Sequence, residues 1–167
     1  QGVGLFDISH MGRLKFSGPD ASRFLDHVLT NSVAALKVGQ VRYSLVCSES
    51  GGVLDDVLVY RLPDSYWLVV NASNRVKIVD WLKHHDAGFD VDWRDVTFET
   101  GMLAAQGPRT AAELPEGDRT RFQSLRYYSV VAGCSFGPDV LLSRTGYTGE
   151  DGCELIVPKD RLAEIWD

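Results

Sequence analysis

The sequence predicts an α+β protein built on antiparallel sheets, and three observations carry that reading. Between residues 41 and 70, three strand-like segments follow one another with only short turns between them, which is hairpin order. One stretch of helical spacing precedes them and another follows. From residue 97 a second series of strand-like segments begins, and the chain shows neither an internal repeat nor a low-complexity tract.

The elements follow in order. Residues 12–17 alternate, with Leu14 and Phe16 on one face of a strand. Gly18, Pro19 and Asp20 then open a helix whose apolar face is Ala21, Phe24, Leu25 and Val28. Residues 41–48 form a strand. Ser48-Glu49-Ser50-Gly51-Gly52 turns the chain, and residues 53–61 return as a hairpin partner. Pro63-Asp64-Ser65 turns it again into a strand over 66–70. Residues 74–85 read as a helix with Val76, Val79 and Leu82 inward, and 89–93 as a short closing strand. The order β-α-β-β-β-α-β over 12–94 resembles a split βαβ, ferredoxin-like unit with one extra strand. Beyond it, 97–106 reads as a strand, 107–114 as a short helix begun by Gly107-Pro108, and 115–120 as a polar loop. Strands over 127–132, 140–144 and 155–157 and the first turns of a helix over 158–166 complete the chain.

Composition sets outer bounds. The chain has 167 residues, 44% hydrophobic and 24% charged, enough for a core without disulfides or metals. A net charge of −6 argues against non-specific nucleic-acid binding, which draws its affinity from basic surface. Three scattered cysteines, Cys47, Cys134 and Cys153, suit a reducing compartment: the cytoplasm, or the mitochondrial matrix in a eukaryote. No stretch reaches transmembrane length and no signal peptide opens the chain, so no membrane partner is expected. The chain begins with Gln1 and stops inside a helical pattern at Asp167, and it is expected to be part of a longer protein.

Four features could carry chemistry. Asp55-Asp56 lies in an otherwise apolar strand, where Asp is unusual. Alternation puts one carboxylate on the face of Leu54, Leu58 and Tyr60 and the other on that of Val53, Val57 and Val59. With both faces covered, one of them is buried and needs a partner, as does a carboxylate that handles protons at a ligand amine. The bland alternative is a pair solvating the strand entrance. Arg144-Thr145-Gly146-Tyr147-Thr148-Gly149-Glu150-Asp151-Gly152-Cys153-Glu154 is a glycine-rich loop whose acids repel phosphate but suit the N–H donors of a ring. These residues alone leave Glu150, Asp151 and Glu154 as equal candidates, and a plain hairpin loop is the alternative. Tyr43, Tyr60, Tyr127, Tyr128 and Tyr147 could stack on a planar heterocycle or simply fill a core. Ser9-His10 suggests nucleophilic catalysis only faintly, since neighbours in an extended chain point apart. The histidines and cysteines show no metal-ligand spacing.

Five segments, in order along the whole chain, resemble the folate-dependent aminomethyltransferase family, the T-protein of the glycine cleavage system. They are Leu5-Phe6-Asp7-Ile8-Ser9-His10-Met11-Gly12, Gly51-Gly52-Val53-Leu54-Asp55-Asp56, Val69-Val70-Asn71-Ala72-Ser73-Asn74, Ala105-Gln106-Gly107-Pro108, and Arg144 through the Glu150-Asp151-Gly152 run. The resemblance implies transfer of a one-carbon unit from an aminomethyl-lipoyl H-protein to tetrahydrofolate, giving methylene-tetrahydrofolate and ammonia. It implies Asp56 as the catalytic acid, with Met11, Tyr43, Leu58, Tyr128 and Tyr147 lining the folate cavity. Glu154 matches the acid that holds the pterin ring. It also implies that residues 13–96 are a domain inserted into a discontinuous folate-binding domain made of 1–12 and 97–167. The family's extreme N-terminal segment, a Gly-Ala-Arg-Asp segment and a C-terminal barrel lie outside this stretch, which is expected to be inactive alone. Three rivals share the scaffold. One is the folate-binding half of a dimethylglycine or sarcosine dehydrogenase. Another is the iron–sulfur-repair branch, whose Lys-x-Cys-Tyr-x-Gly-Gln-Glu segment lacks its Cys and Gln here. The third is a non-catalytic binding module.

Overall fold

A computed structural model describes residues 2–167. The chain forms two compact units: one combines the segment ending at Ser9 with Phe98–Asp167, and the other is His10–Thr97. The first unit opens with strand β1 (Gly4–Asp7). The second holds β2 (Gly12–Ser17), α1 (Ala21–Val28), β3 (Val41–Cys47), β4 (Val53–Arg61), β5 (Tyr66–Val70), α2 (Arg75–His85) and β6 (Asp92–Asp95). The first unit then resumes with β7 (Thr100–Gln106), α3 (Thr110–Glu113), α4 (Glu116–Ser124), β8 (Ser129–Cys134), β9 (Gly137–Arg144), β10 (Gly152–Pro158) and α5 (Leu162–Trp166). The expected α+β class, with antiparallel sheets, is the observed one.

In the unit His10–Thr97 the sheet order is β3-β4-β5-β2-β6, and every neighbouring pair is antiparallel. Strands β5 and β6 are therefore parallel to each other with β2 between them, and β5–α2–β6 is a split βαβ crossover. Two strands, β4 and β5, separate β2 from β3, so β2 and β3 run in opposite directions. One face carries the core: Leu14, Phe16, Val57, Val59, Leu68 and Val70 meet Phe24, Leu25 and Val28 of α1 and Ile78 and Leu82 of α2. Helix α1 buries Ala21, Phe24, Leu25 and Val28, the face its spacing predicts. Helix α2 differs from expectation. Val76 is 66% exposed, and the inward stripe is Ile78 and Leu82, four residues apart on one side of the helix. Phe89 is also not in a strand. It sits in a turn, its N–H donating to Asp86 O at 3.1 Å just after Gly88 at φ 88°, and β6 begins only at Asp92.

The other unit is a sheet of order β1-β7-β10-β9-β8, again antiparallel. Its core gathers Leu103, Leu142, Leu155 and Val157 from the sheet with Leu114 and Phe122. Of the residues expected to form a polar loop at 115–120, Pro115 caps α4 and the rest lie in it, a helix with little apolar periodicity. Glu116 and Asp118 occupy its positive N-terminal turn, and Phe122, fully buried, docks it. Strand β1 was not anticipated either, because its residues do not alternate and it pairs on one side only, with β7. No helix among the described residues is long and apolar enough to cross a membrane.

Candidate active site

Strand β4 carries the aspartate pair. Asp55 is 3% exposed on the helix-bearing face, and Asp56 is half-buried on the other. Asp55 has three neutral donors: the Asn71 N–H to Oδ2 at 2.9 Å, Asn71 Nδ2 to Oδ1 at 2.9 Å and Asn74 Nδ2 to Oδ1 at 2.6 Å. The Asn71 amide also reaches Asp56, donating to Oδ1 at 2.9 Å and to the main-chain oxygen at 3.0 Å. A single asparagine at the end of β5 thus ties the two carboxylates to one point. The expected buried acid is Asp55, and its partners are amides. Asp56 is left partly open beside them.

The sheet register assembles the neighbours of Asp56 on that second face. Tyr43 pairs with Leu58, Leu58 with Val69, and Val69 with Arg13. Paired residues point the same way, and Leu58 is two residues from Asp56, so all share its face. Leu58 is buried while Tyr43 is 41% exposed. Met11 is half-buried and immediately precedes Gly12, which pairs with Val70. Gly12 is glycine for want of room, since a Cβ there would lie 2.5 Å from a Val70 methyl. Arg13 is a feature that alternation alone did not reveal. Its guanidinium is fully buried, donating from Nη1 to Met11 O at 2.6 Å and from Nη2 to Thr97 O at 2.5 Å. The bonds hold the chain at Met11 in place.

In the other unit, the three acids in and after the glycine-rich loop between β9 and β10 stand in different surroundings. Asp151 is spent on Arg144, with Nε to Oδ1 at 3.0 Å and Nη2 to Oδ2 at 2.7 Å, a bidentate pair that closes the loop's base. Glu150 is exposed. Glu154 is 2% exposed on β10 and accepts a short hydrogen bond at Oε2 from the Thr145 hydroxyl. Tyr147 stands 64% exposed on the loop. Tyr128, half-buried, has φ 61°, a left-handed conformation that an aromatic residue adopts only under constraint. Its ring meets that of Tyr127 edge to face at 4.7 Å, and the Tyr127 hydroxyl donates to Gly146 O at 3.1 Å. Burial, and then the neighbouring Tyr128, Glu154 and Asp151, push the Tyr127 hydroxyl up from its ordinary range, which keeps it a donor.

Other candidates fall to structural duties. The Ser9 hydroxyl accepts the Met102 N–H at 3.0 Å and lies 3.4 Å from Met102 O, so it staples the main chain. Cys153 is fully buried, and burial pushes its thiol up to about 12, which makes it inert at neutral pH. Among the described residues no group of three His, Cys, Asp or Glu is placed to hold a metal ion.

A family model described as the GCVT N-terminal domain matches residues 1–167. Aminomethyltransferase of Corynebacterium jeikeium is 41% identical over 181 residues, covering 98% of this chain and 46% of that protein. The aminomethyltransferase of Chloroherpeton thalassium is 43% identical over 167 residues, covering 99% and 46%. The crystal structure of glycine cleavage system aminomethyltransferase T from Bartonella henselae superposes with a TM-score of 0.84 at 35% identity, covering 99% of this chain and 45% of that one. A heterotetrameric sarcosine oxidase from Corynebacterium sp. U-96 shares the fold alone, at a TM-score of 0.67 and 17% identity over 98% of this chain and 80% of its own. The chain spans about half the length of the curated relatives it matches, 46% in both cases above. The match to the domain model runs over the whole of residues 1–167, and the chain belongs to the GCVT N-terminal domain family.

Proposed function

We propose that the protein carrying this chain is a tetrahydrofolate-dependent aminomethyltransferase. In this reading it takes the one-carbon unit from the aminomethyl-lipoyl group of an H-protein, delivers it to tetrahydrofolate, and releases ammonia. The observation that carries the reading is the Asp55–Asp56–Asn71 arrangement: a buried carboxylate saturated by amides fixes its neighbour, Asp56, at a half-open position. A carboxylate so held accepts N–H hydrogen bonds and handles protons at an amine, which is the role we assign to Asp56. The folate supplies the nitrogens that accept the one-carbon unit.

The residues present suit a folate. Glu154 is a buried acid steadied by Thr145, and a carboxylate can accept from two N–H groups of a pterin ring. Met11, Leu58, Tyr43, Tyr128 and Tyr147 offer the apolar and aromatic surface that a planar ring and its benzoyl arm need. We assign the folate to these side chains and the H-protein and lipoyl arm to the full-length protein.

The test is calorimetric titration of the full-length protein with 5-formyltetrahydrofolate, wild type beside Asp56→Asn. Saturable binding that weakens about tenfold in the variant, the scale of one lost charge-assisted hydrogen bond, supports the assignment. An assay with aminomethylated H-protein should then show turnover in the wild type and loss by about a hundredfold or more in Asp56→Asn. Absence of folate binding to the full-length protein would sink the reading. Binding without turnover on H-protein would leave a folate enzyme with another donor.

A further inference from the structure

The geometry points to Gln106 as a positioning residue for the loop that presents Tyr147 and steadies Glu154, an inference that rests on the folate reading above. Gln106 ends β7, between β1 and β10, where it pairs with Gly4 on one side and Gly152 on the other. Its side chain is 5% exposed and nearly saturated. Nε2 donates to Thr145 O at 3.1 Å and to Cys153 O at 3.2 Å, and Oε1 accepts from the Thr148 hydroxyl at 3.1 Å. One amide therefore holds the loop where it leaves β9, at its middle, and where it enters β10. Both amide protons are used, so neither strand end can shift without leaving a buried donor unpaired, which is costly.

Two of the loop's glycines are explained by the same side chain. A Cβ on Gly146 would lie 2.0 Å from Gln106 Oε1 and 2.6 Å from Cδ. One on Gly152 would lie 2.6 Å from Cδ. The loop is wrapped on the amide, and glycine is what lets the backbone come that close. The link to the acid runs through Thr145. Its carbonyl is held by Gln106 while its hydroxyl donates to Glu154, and Ser143 Oγ, 2.8 Å from Thr145 Oγ1, backs the hydroxyl from behind. The Gly107 N–H adds a bond to Asp151 O at 2.8 Å, beside the Arg144–Asp151 pair. Gln106 touches no ligand-facing group itself. It sets where Tyr147 stands and which way the Thr145 hydroxyl, and with it the Glu154 carboxylate, is aimed.

The experiment uses the full-length protein with Gln106→Leu, Thr148→Val and Thr148→Ser. Thr148 is exposed, so its valine variant removes one hydroxyl without opening the core, and its serine variant restores that hydroxyl. Amide exchange over residues 146–150 should quicken about tenfold in Thr148→Val, the factor that one lost neutral hydrogen bond gives, by more in Gln106→Leu, which loses three, and return to the wild-type rate in Thr148→Ser. The folate KM should rise about fivefold to tenfold in the first two with kcat within about twofold, and Thr148→Val should keep the wild-type Tm. A purely structural glutamine would move Tm and leave the KM-to-kcat split and the serine rescue absent. Wild-type exchange in Thr148→Val, or a loosened loop with unchanged folate KM, overturns the assignment. Should Gln106→Leu fail to fold, the Thr148 pair decides. If the wild-type protein binds no folate at all, it is the folate reading that falls, and the exchange rates still say whether Gln106 holds the loop.

Discussion

Asn71 concentrates more of the candidate site than its place in the sequence suggests. Its amide has two protons but three acceptors within 3.0 Å, on Asp55 and on Asp56, and its own N–H serves a fourth. Removing the side chain leaves a buried carboxylate short of a donor. Asn71→Ala should therefore lose about 1–3 kcal/mol in urea unfolding, the cost of an unsatisfied buried group. Asn71→Asp should lose at least as much, since a carboxylate has no N–H to donate to the two acids. Losses below about 0.5 kcal/mol in both variants would show that the amide protons are not what matters. The acids themselves were legible, because two aspartates in an apolar strand conflict with strand preference. Asn71 was not, because an asparagine after a strand reads as turn chemistry until register brings it beside Asp55. The pairing of Asp151 with Arg144 also lay beyond residue-by-residue reading, since it is a matter of loop closure.

At the scale of elements, legibility followed periodicity. The bounds of β2, β4 and β5 and the buried face of α1 match the sequence reading, because turn residues bracket each strand and each element sets apolar side chains against one core. Where burial is partial, the pattern misleads. In α2 the valine at 76 fits a three-residue step, yet the stripe that meets the sheet is Ile78 and Leu82, with Val79 and Trp81 only partly covered. Helix α4 has a single deeply buried apolar side chain, Phe122, and no spacing to betray it. The contrast gives a direct check. Phe24 is fully buried and packs on Phe16 and Phe89 at ring distances of 6.1 and 5.2 Å, so Phe24→Ala should cost about 3–5 kcal/mol. Val76→Ala should change stability by less than about 0.5 kcal/mol, as at an ordinary surface position. Comparable losses in the two variants, measured by urea unfolding, would mean that α2 docks in a different rotation.

At the scale of the whole molecule, the unit His10–Thr97 is closed at its two ends by one polar knot. Its entering strand β2 pairs with its last strand β6, and Val96 N–H donates to Arg13 O at 2.9 Å while Arg13 N–H donates to Thr97 Oγ1 at 2.9 Å. Entry and exit therefore lie side by side, the condition under which a segment can be inserted into another fold without deforming it. Asp95 completes the knot: its Oδ2 is 2.5 Å from Arg75 Nη2 at the start of α2, and its Oδ1 accepts the Thr97 N–H at 3.0 Å. Burial works against the charge of Asp95, but the hydrogen bonds from Thr97 and Arg75 outweigh it and hold the carboxyl below its ordinary value of 3.8. A carboxyl with a depressed folded-state pKa contributes stability that is fully present above its unfolded pKa and is lost as the pH falls through the folded one. Asp20 and Glu164 are also lowered, by Arg23 and Arg161, but both are solvent-exposed pairs whose contribution is screened. The acid limb should thus depend on Asp95. At pH 7, Asp95→Asn should unfold at lower urea than wild type. The gap should narrow as the pH falls below the ordinary value of 3.8 and close once it has passed through the lower value of the folded state, where the wild-type carboxyl has also lost its charge. Parallel profiles with a constant gap through the same fall in pH would assign the loss to shape at the knot instead of to the charge that Arg75 and Thr97 hold there.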